Sequence, residues 1–196
     1  MGTELTIESF LKYESYDHES WDELIDGKII PMTGVGRTNH AVVRGNLLYL
    51  CSQKLQSRKV EALSGNLFIA EANRFVPDLM IVSDGAHFEE MGAFGTPDIV
   101  AEVLMPWSIR YDRGRKKEVY EENGLREYWI LDPVGETVEQ YALSGGRLRL
   151  VDVYFGGNGE TPRTLPGEYR ETKGVIQSVT FPELALPLNE IFNGMV

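Results

Sequence analysis

The sequence predicts a mixed α/β (α+β) domain: one mixed β-sheet with helices on its faces. Three observations lead there. Segments with helical periodicity and segments with strand character interleave without a strict βαβ alternation. Two stretches, 98–104 and 127–131, are largely apolar runs of the kind covered on both faces of a sheet. The 196 residues and 42% hydrophobic content suit a single domain spanning 1–196, since chains usually divide only beyond roughly 250 residues.

The elements follow in chain order. Residues 5–14 suit a short helix with Ile7, Phe10 and Leu11 on one face. Residues 23–25 and 28–30 flank Asp26-Gly27, a hairpin signal because that pair tolerates the positive φ of a two-residue turn. Gly34 to Asn39 is a turn-rich connection, and Thr38 or Asn39 is placed to cap the next helix. Residues 40–56 form a long amphipathic helix in which Val43, Leu47, Leu50 and Cys51 recur at three- and four-residue spacing. Strands are expected at 60–63, 67–71 and 75–82, separated by Ser64-Gly65-Asn66 and Asn73-Arg74, and a glycine-rich loop at 84–97. After the buried strand 98–104, Pro106 closes the run and Asp112 opens a helix to about Asn123, with Gly124 as its terminator. Strand 127–131 is followed by a second hairpin, 136–143 and 147–154, across Ser144-Gly145-Gly146. Residues 156–173 read as a polar surface excursion, and the tail as a strand, an extended segment and a helical turn from Asn189.

Charge and cysteine usage narrow the function classes. A formal net charge of −11 counts against wholesale coating of nucleic acid by a basic surface, while leaving room for a local basic groove or an acidic metal site. Six acids, Glu14, Asp17, Glu19, Asp22, Glu23 and Asp26, crowd one stretch that reads mostly as solvated surface. The one cysteine, Cys51, falls on an apolar helix face and reads as a packed thiol. The histidines show no zinc spacing, and no G-x-S-x-G, Walker or G-x-G-x-x-G pattern is present. With no long apolar segment and no signal-peptide pattern, the expectation is a soluble cytoplasmic protein without membrane contact.

The chemistry concentrates between Pro77 and Asp132. Two apolar segments each carry one acid, Asp78 and Glu102. A buried bare carboxylate costs several kcal/mol or is neutralised, so each needs a metal ion or a basic partner. On neighbouring strands about 4.8 Å apart, the two side chains could meet around one ion. Mg²⁺ (or Mn²⁺) suits such a pair, with the carbonyl of Val103 as a further ligand. Lys116 shares a helical face with Asp112 and Tyr120. An ammonium reaching the site would stabilise a pentacovalent phosphate or orient a water. The plainer alternative is a solvent lysine paired with Asp112, and the lysine taken alone favours it. The basic stretch Arg110 to Lys117 is either a phosphate grip or a wet helix end.

The ordered set Glu23-Leu24-Ile25-Asp26-Gly27, His40, Pro77-Asp78, Glu102-Val103-Leu104, Tyr111-Asp112-Arg113-Gly114-x-Lys116, Tyr120 and Glu127-Tyr128-Trp129-Ile130-Leu131-Asp132 resembles the Uma-type family of restriction-endonuclease-like proteins, within the PD-(D/E)XK nuclease superfamily. The similarity runs from about residue 6 to residue 192 and is most specific over 98–132. It implies a restriction-endonuclease-like fold and a Mg²⁺-dependent phosphodiester site. Asp78 matches the first motif acid and Glu102 the second. Leu104 stands where the superfamily lysine would be, and Lys116 matches the helix lysine that takes over its role. Glu23 matches an early glutamate and is a candidate third acid. Lys117 is excluded because it faces roughly 100° away on the helix. The reading that follows is a Mg²⁺-dependent DNA endonuclease using a metal-activated water, plausibly a homodimer. The competing readings are a non-catalytic nuclease-fold module binding nucleic acid or a partner protein, and a two-carboxylate glycosidase, which would need aromatic platforms in its cleft.

Overall fold

The computed structural model describes residues 5–14, 22–32, 37–55, 61–63, 65–83, 86–156 and 174–196. Helix α1 (Ile7–Glu14) turns Phe10 into the interior. Strands β1 (Glu23–Ile25) and β2 (Lys28–Ile30) form the expected hairpin, and Asp26 and Gly27 take the positive φ values, 50° and 70°, of its two-residue turn. Helix α2 (Thr38–Leu55) buries Val43, Leu47, Leu50, Cys51 and Leu55. Seven strands follow: β3 (Glu61–Leu63), β4 (Leu67–Ile69), β5 (Asn73–Phe75), β6 (Leu79–Val82), β7 (Ala86–Glu89), β8 (Gly92–Gly95) and β9 (Ile99–Val103). Two short helices, α3 (Ile109–Asp112) and α4 (Arg115–Glu122), lead to β10 (Glu127–Asp132) and the long hairpin β11 (Thr137–Ser144) and β12 (Arg147–Phe155). The tail forms β13 (Val175–Gln177), β14 (Ala185–Pro187) and α5 (Leu188–Ile191).

The central sheet runs β12-β11-β10-β9-β6-β3, with β9 and β10 parallel and its other neighbours antiparallel, so it is mixed as expected. Helices α2 and α5 and the β13–β14 pair cover one face, burying Leu79, Ile99, Ala101, Trp129 and Leu131. Helix α4 shares the other face with a second sheet, ordered β2-β1-β5-β4-β8-β7, and this side buries Met80, Val100, Tyr128 and Ile130. Strands covered twice have no polar face, which is why β9 and β10 read as continuous apolar runs.

Several sequence expectations are corrected. The run 75–82 is not one strand: β5 ends at Phe75 in the second sheet and β6 begins at Leu79 in the central one. Pro77, which cannot donate to a ladder, lies in the crossover. Asn73 and Arg74 are not a separator but belong to β5, and the reversal falls earlier, at Ala70 with φ 55°. Asn73 is buried because its Oδ1 accepts the Asp26 amide at 2.8 Å, locking the first hairpin onto β5. Residues 84 and 85 lie outside the described residues, but the rest of the expected loop 84–97 is not simply loop, since Gly92 and Gly95 belong to a hairpin of β7 and β8. A Cβ on Gly92 would come within 2.4 Å of the Asn66 carbonyl, so the glycine marks a close approach between chains of the sheet. Thr38 and Asn39 lie inside α2, and the Asn39 amide exchanges hydrogen bonds with Val196 at 2.8 and 2.9 Å. Asp112 closes α3 instead of opening a helix to Asn123. A Cβ on Gly114 would meet the Arg110 carbonyl at 2.5 Å, so the chain breaks there before α4. Gly124 does terminate α4. With φ 80°, it donates to Glu121, and Leu125 donates to Tyr120, the paired closure that caps a helix C-terminus. Most of the 156–173 excursion and Trp21 lie outside the described residues.

Candidate active site

The crossover from β5 to β6 and the ends of β1, β9 and α3 bring four acids to one cleft. The β6–β9 register pairs Leu79 with Ala101, so one step further along it faces Asp78 against Glu102 on the same side of the sheet. Asp78 is fixed by the amide of Val103, which donates to its Oδ2 at 2.8 Å. His40 Nε2 lies 3.3 Å from that oxygen, and Arg44 approaches Oδ1 at 3.8 Å. Both come from α2, one turn apart. In extended backbone the N–H and C=O of a residue point to the same neighbour, so the Val103 carbonyl faces the side of the strand that holds Asp78. Glu23, at the start of β1, accepts the Val76 amide on Oε1 at 3.0 Å, which ties the second sheet to the crossover.

Lys116 sits at the centre. Its side chain is only 4% exposed, and Nζ lies 2.9 Å from Glu23, 3.1 Å from Asp112 and 3.5 Å from Glu102. The solvent-lysine reading is therefore overturned: the pairing with Asp112 exists, but inside the protein. Tyr120 completes the helical face by donating to Glu102 at 3.3 Å, and Tyr128 donates to the Asp112 carbonyl at 3.0 Å. Lys117 points away, with its ammonium 4.2 Å from the Tyr141 ring centroid. Leu104, at the usual lysine position, is packed in the core.

The cluster holds more negative than positive charge. Burial pushes the Glu102 carboxyl well above its usual range, Lys116 pulls it back, and Asp112, Glu23 and Asp78 add to the rise. For Lys116, desolvation opposes the charge, but Glu102, Glu23 and Asp112 together hold the ammonium well above the ordinary lysine range. Lys116 is thus a charged amine, and Glu102 is the acid that resists ionisation. Glu23 Oε2 and Asp112 Oδ1 both draw on that one ammonium, at 2.9 and 3.1 Å.

The cleft has a volume of about 570 Å³ and also admits Met32, Met105 and Trp107 to its wall. Among the described residues no group of three or more His, Cys, Asp or Glu side chains is placed to hold a metal ion. A hard divalent ion that keeps waters and uses one or two carboxylates needs no third such side chain, and Asp78, Glu102 and the Val103 carbonyl are the oxygens the cleft offers it. The donor chemistry and the surplus of negative charge fit such an ion.

All the residues singled out from sequence, Glu23, Asp78, Glu102, Val103 and Lys116, therefore line one cleft. Sequence reasoning left out Asp112 as a member of the cluster and missed Arg44 altogether. The signals were present: Asp112 is four residues before Lys116, and His40 and Arg44 are four apart on α2. Of the two readings of the basic stretch, a phosphate grip or a wet helix end, the grip finds two of its arginines already paired. Arg113 bonds Glu139 at 2.7 and 2.9 Å, and Arg115 forks onto Asp26 at 2.7 and 2.9 Å while also meeting Glu118 and Glu122.

Residues 7–174 match the family described as "Uma2: Putative restriction endonuclease". The chain belongs to the Uma2 family. A Synechocystis relative, "Uncharacterized protein slr1290", is 28% identical over 141 residues, covering 70% of this Uma2 chain and 73% of its own length. A crystal structure described as a putative nuclease belonging to DUF820, from Anabaena variabilis, superposes with a TM-score of 0.72 at 20% identity, covering 96% of this chain and 97% of the other. That likeness shows a shared nuclease-like, mixed α+β fold. No helix among the described residues is long and apolar enough to cross a membrane.

Proposed function

We propose that this Uma2 protein is a Mg²⁺-dependent (or Mn²⁺-dependent) endonuclease that hydrolyses phosphodiester bonds in DNA. One observation carries the reading: a fully buried ammonium, Lys116, reaches an acid, Glu102, that faces a second acid, Asp78, across adjacent strands. A divalent ion bound there would supply Lewis acidity at a phosphoryl oxygen and a nucleophile at neutral pH. Asp78, Glu102 and the Val103 carbonyl would hold it. Glu23 and Asp112 keep Lys116 charged and aimed at the cleft, where its ammonium meets the negative charge that develops on phosphorus-bound oxygens. The Val103 amide and His40 engage Oδ2 of Asp78, and Arg44 approaches Oδ1. Arg44, on the same wall, is placed to meet a neighbouring phosphate.

A second reading, a non-catalytic module binding nucleic acid or a partner protein, draws support from the −11 charge and from the ion pairs that consume Arg113 and Arg115. The discriminating experiment incubates wild type and Asp78→Ala with single-stranded, duplex and supercoiled DNA in Mg²⁺ or Mn²⁺. Cleavage by wild type alone supports the enzyme. Binding by both proteins, with every substrate left intact, supports the module.

A further inference from the structure

We propose that Trp107 is a base-stacking platform and that the strand engaged by the cleft is unstacked, single-stranded nucleic acid, an inference that rests on the nuclease reading above. The three tryptophans of the chain include Trp129, which is wholly buried, whereas Trp107 keeps 42% of its surface in solvent while lining the cleft. A large ring left wet on a concave wall, beside Met32 and Met105, offers a face of the size and polarity of a nucleobase.

The backbone that carries the ring is also fixed. Met105 and Ser108 form a closed turn: the Ser108 amide donates to the Met105 carbonyl at 2.9 Å, and the Met105 amide donates to Ser108 Oγ at 3.1 Å. The Ser108 carbonyl then accepts the amides of Tyr111 and Asp112 at 2.8 and 2.9 Å. One hydrogen-bonded turn therefore joins the end of β9, which carries Glu102, to α3, which carries Asp112, with Trp107 between them. The backbone position of Trp107 relative to the acids is set before a ligand arrives, which limits the ordering cost of binding.

Charge points the same way. Duplex binding commonly draws on roughly 6 to 10 phosphate contacts, each releasing about one counterion. Here Arg113 and Arg115 are held by acids, as are Arg126 by Asp98 and Arg147 by Glu121, each at 2.7 or 2.8 Å. Among the described residues, the basic side chains lining the cleft are His40, Arg44 and Lys116. So few leave stacking as the main source of affinity, and a space of about 570 Å³ is of nucleotide size, within the range of small-ligand sites.

The test measures binding of a labelled oligothymidylate about a dozen nucleotides long, its oligouridylate counterpart and a hairpin duplex of similar length. Ca²⁺ replaces Mg²⁺, and the proteins are wild type, Trp107→Ala and Trp107→Phe. The expected result is tighter binding of the single strands than of the duplex. Trp107→Ala should weaken single-strand binding on the order of 10- to 100-fold, and Trp107→Phe only a few-fold. Duplex binding should be the same in all three proteins. The proposal is overturned if wild type prefers the duplex, or if Trp107→Ala holds the single strands like wild type. It is equally overturned if that variant instead dissociates a wild-type dimer in sedimentation velocity with oligonucleotide binding intact, which would make Trp107 a protein contact. A parallel incubation in Mn²⁺ separates the two readings. Trp107-dependent binding with every strand left intact keeps the platform and removes the nuclease, whereas cleavage indifferent to Trp107 does the reverse. Selective cutting of the deoxy over the ribo strand would identify DNA as the substrate.

Discussion

Two glutamates enter the central sheet on neighbouring strands, Glu102 on β9 and Glu127 on β10, and both are buried. They face opposite sides. Glu127 lies on the side of Trp129, toward α2 and the tail, and its carboxylate accepts five donors: Trp129 Nε1 at 2.8 Å, Gln140 Nε2 at 2.6 Å, Ser178 Oγ at 2.8 Å, and the amides of Val179 at 3.1 Å and Thr180 at 2.9 Å. Gln140 is anchored in turn by Tyr154 at 2.7 Å. That carboxylate is saturated and pins the tail segment to the sheet. Glu102 receives one long hydrogen bond, from Tyr120, and shares one lysine with Glu23 and Asp112. A satisfied buried acid stabilises a fold, whereas a crowded and under-satisfied one is costly to keep and marks a functional site.

The sharpest way to break this comparison is to neutralise each acid in turn. Glu127→Gln places an amide against five donors and should cost about 3–5 kcal/mol of stability in urea denaturation. Trp129→Ala, which removes both the ring and a donor, should cost about as much. Glu102→Gln should cost less than about 1 kcal/mol, or stabilise, while abolishing activity. Its sign follows from the titration. Glu102 has a raised folded-state value, so the wild-type fold loses stability as pH rises above the ordinary glutamate range toward that value. With chelator present, Glu102→Gln should therefore gain on wild type as pH rises. A loss for Glu102→Gln equal to that of Glu127→Gln would erase the distinction.

A second contrast sets Lys116 against Lys117. Lys116→Ala should lower a single-turnover cleavage rate on the order of 100- to 1000-fold, since it removes a charge from the reacting centre. Lys117→Ala, which loses only its contact over Tyr141, should still cut and show at most weaker DNA binding. If Lys117→Ala were the inactive variant, the lysine assignment would be off by one residue. Mn²⁺ titration calorimetry adds a smaller, separable effect. Wild type and Lys117→Ala should bind alike, and Asp78→Asn combined with Glu102→Gln should not bind. Equal heats in all three would place the ion elsewhere.

The difference between the two glutamates also explains what could be read from sequence. Both central strands were legible because covering on two faces removes every polar alternation, whereas the i, i+4 relation of Lys116 to Asp112 favoured a solvent pair and only the resemblance to the Uma-type family put Lys116 at the site. Glu127 gave no sign of its role, because its partners Gln140, Ser178, Val179 and Thr180 arrive from distant segments. The second sheet was hidden for a related reason. Its strands are three or four residues long, too short for a period to show, and glycines such as Gly92 that signal loop in sequence here permit close strand approach. Arg44 escaped notice because its meeting with Asp78 depends on how α2 lies across the crossover at Pro77.

The smallest effect concerns the ion pair between α4 and the first hairpin. Arg115 forks onto Asp26 in the β1–β2 turn, which joins α4 to the hairpin carrying Glu23. That hydrogen-bonded contact holds the Asp26 carboxyl below its usual range despite some desolvation. A lowered folded-state value contributes stability above the ordinary aspartate range and loses it as pH falls through the folded-state value. Asn also tolerates the positive φ of position 26, so Asp26→Asn removes the charge without straining the turn. The variant should be slightly less stable than wild type at neutral pH, and the gap should close in acid. Because Asp26 and Arg115 are both well exposed to solvent, added salt should shrink the gap as well. Melting temperatures of the two proteins from neutral to acid pH, at low and high salt, would measure it. A gap that widened in acid would mean that the turn, and not the ion pair, holds α4 against the hairpin.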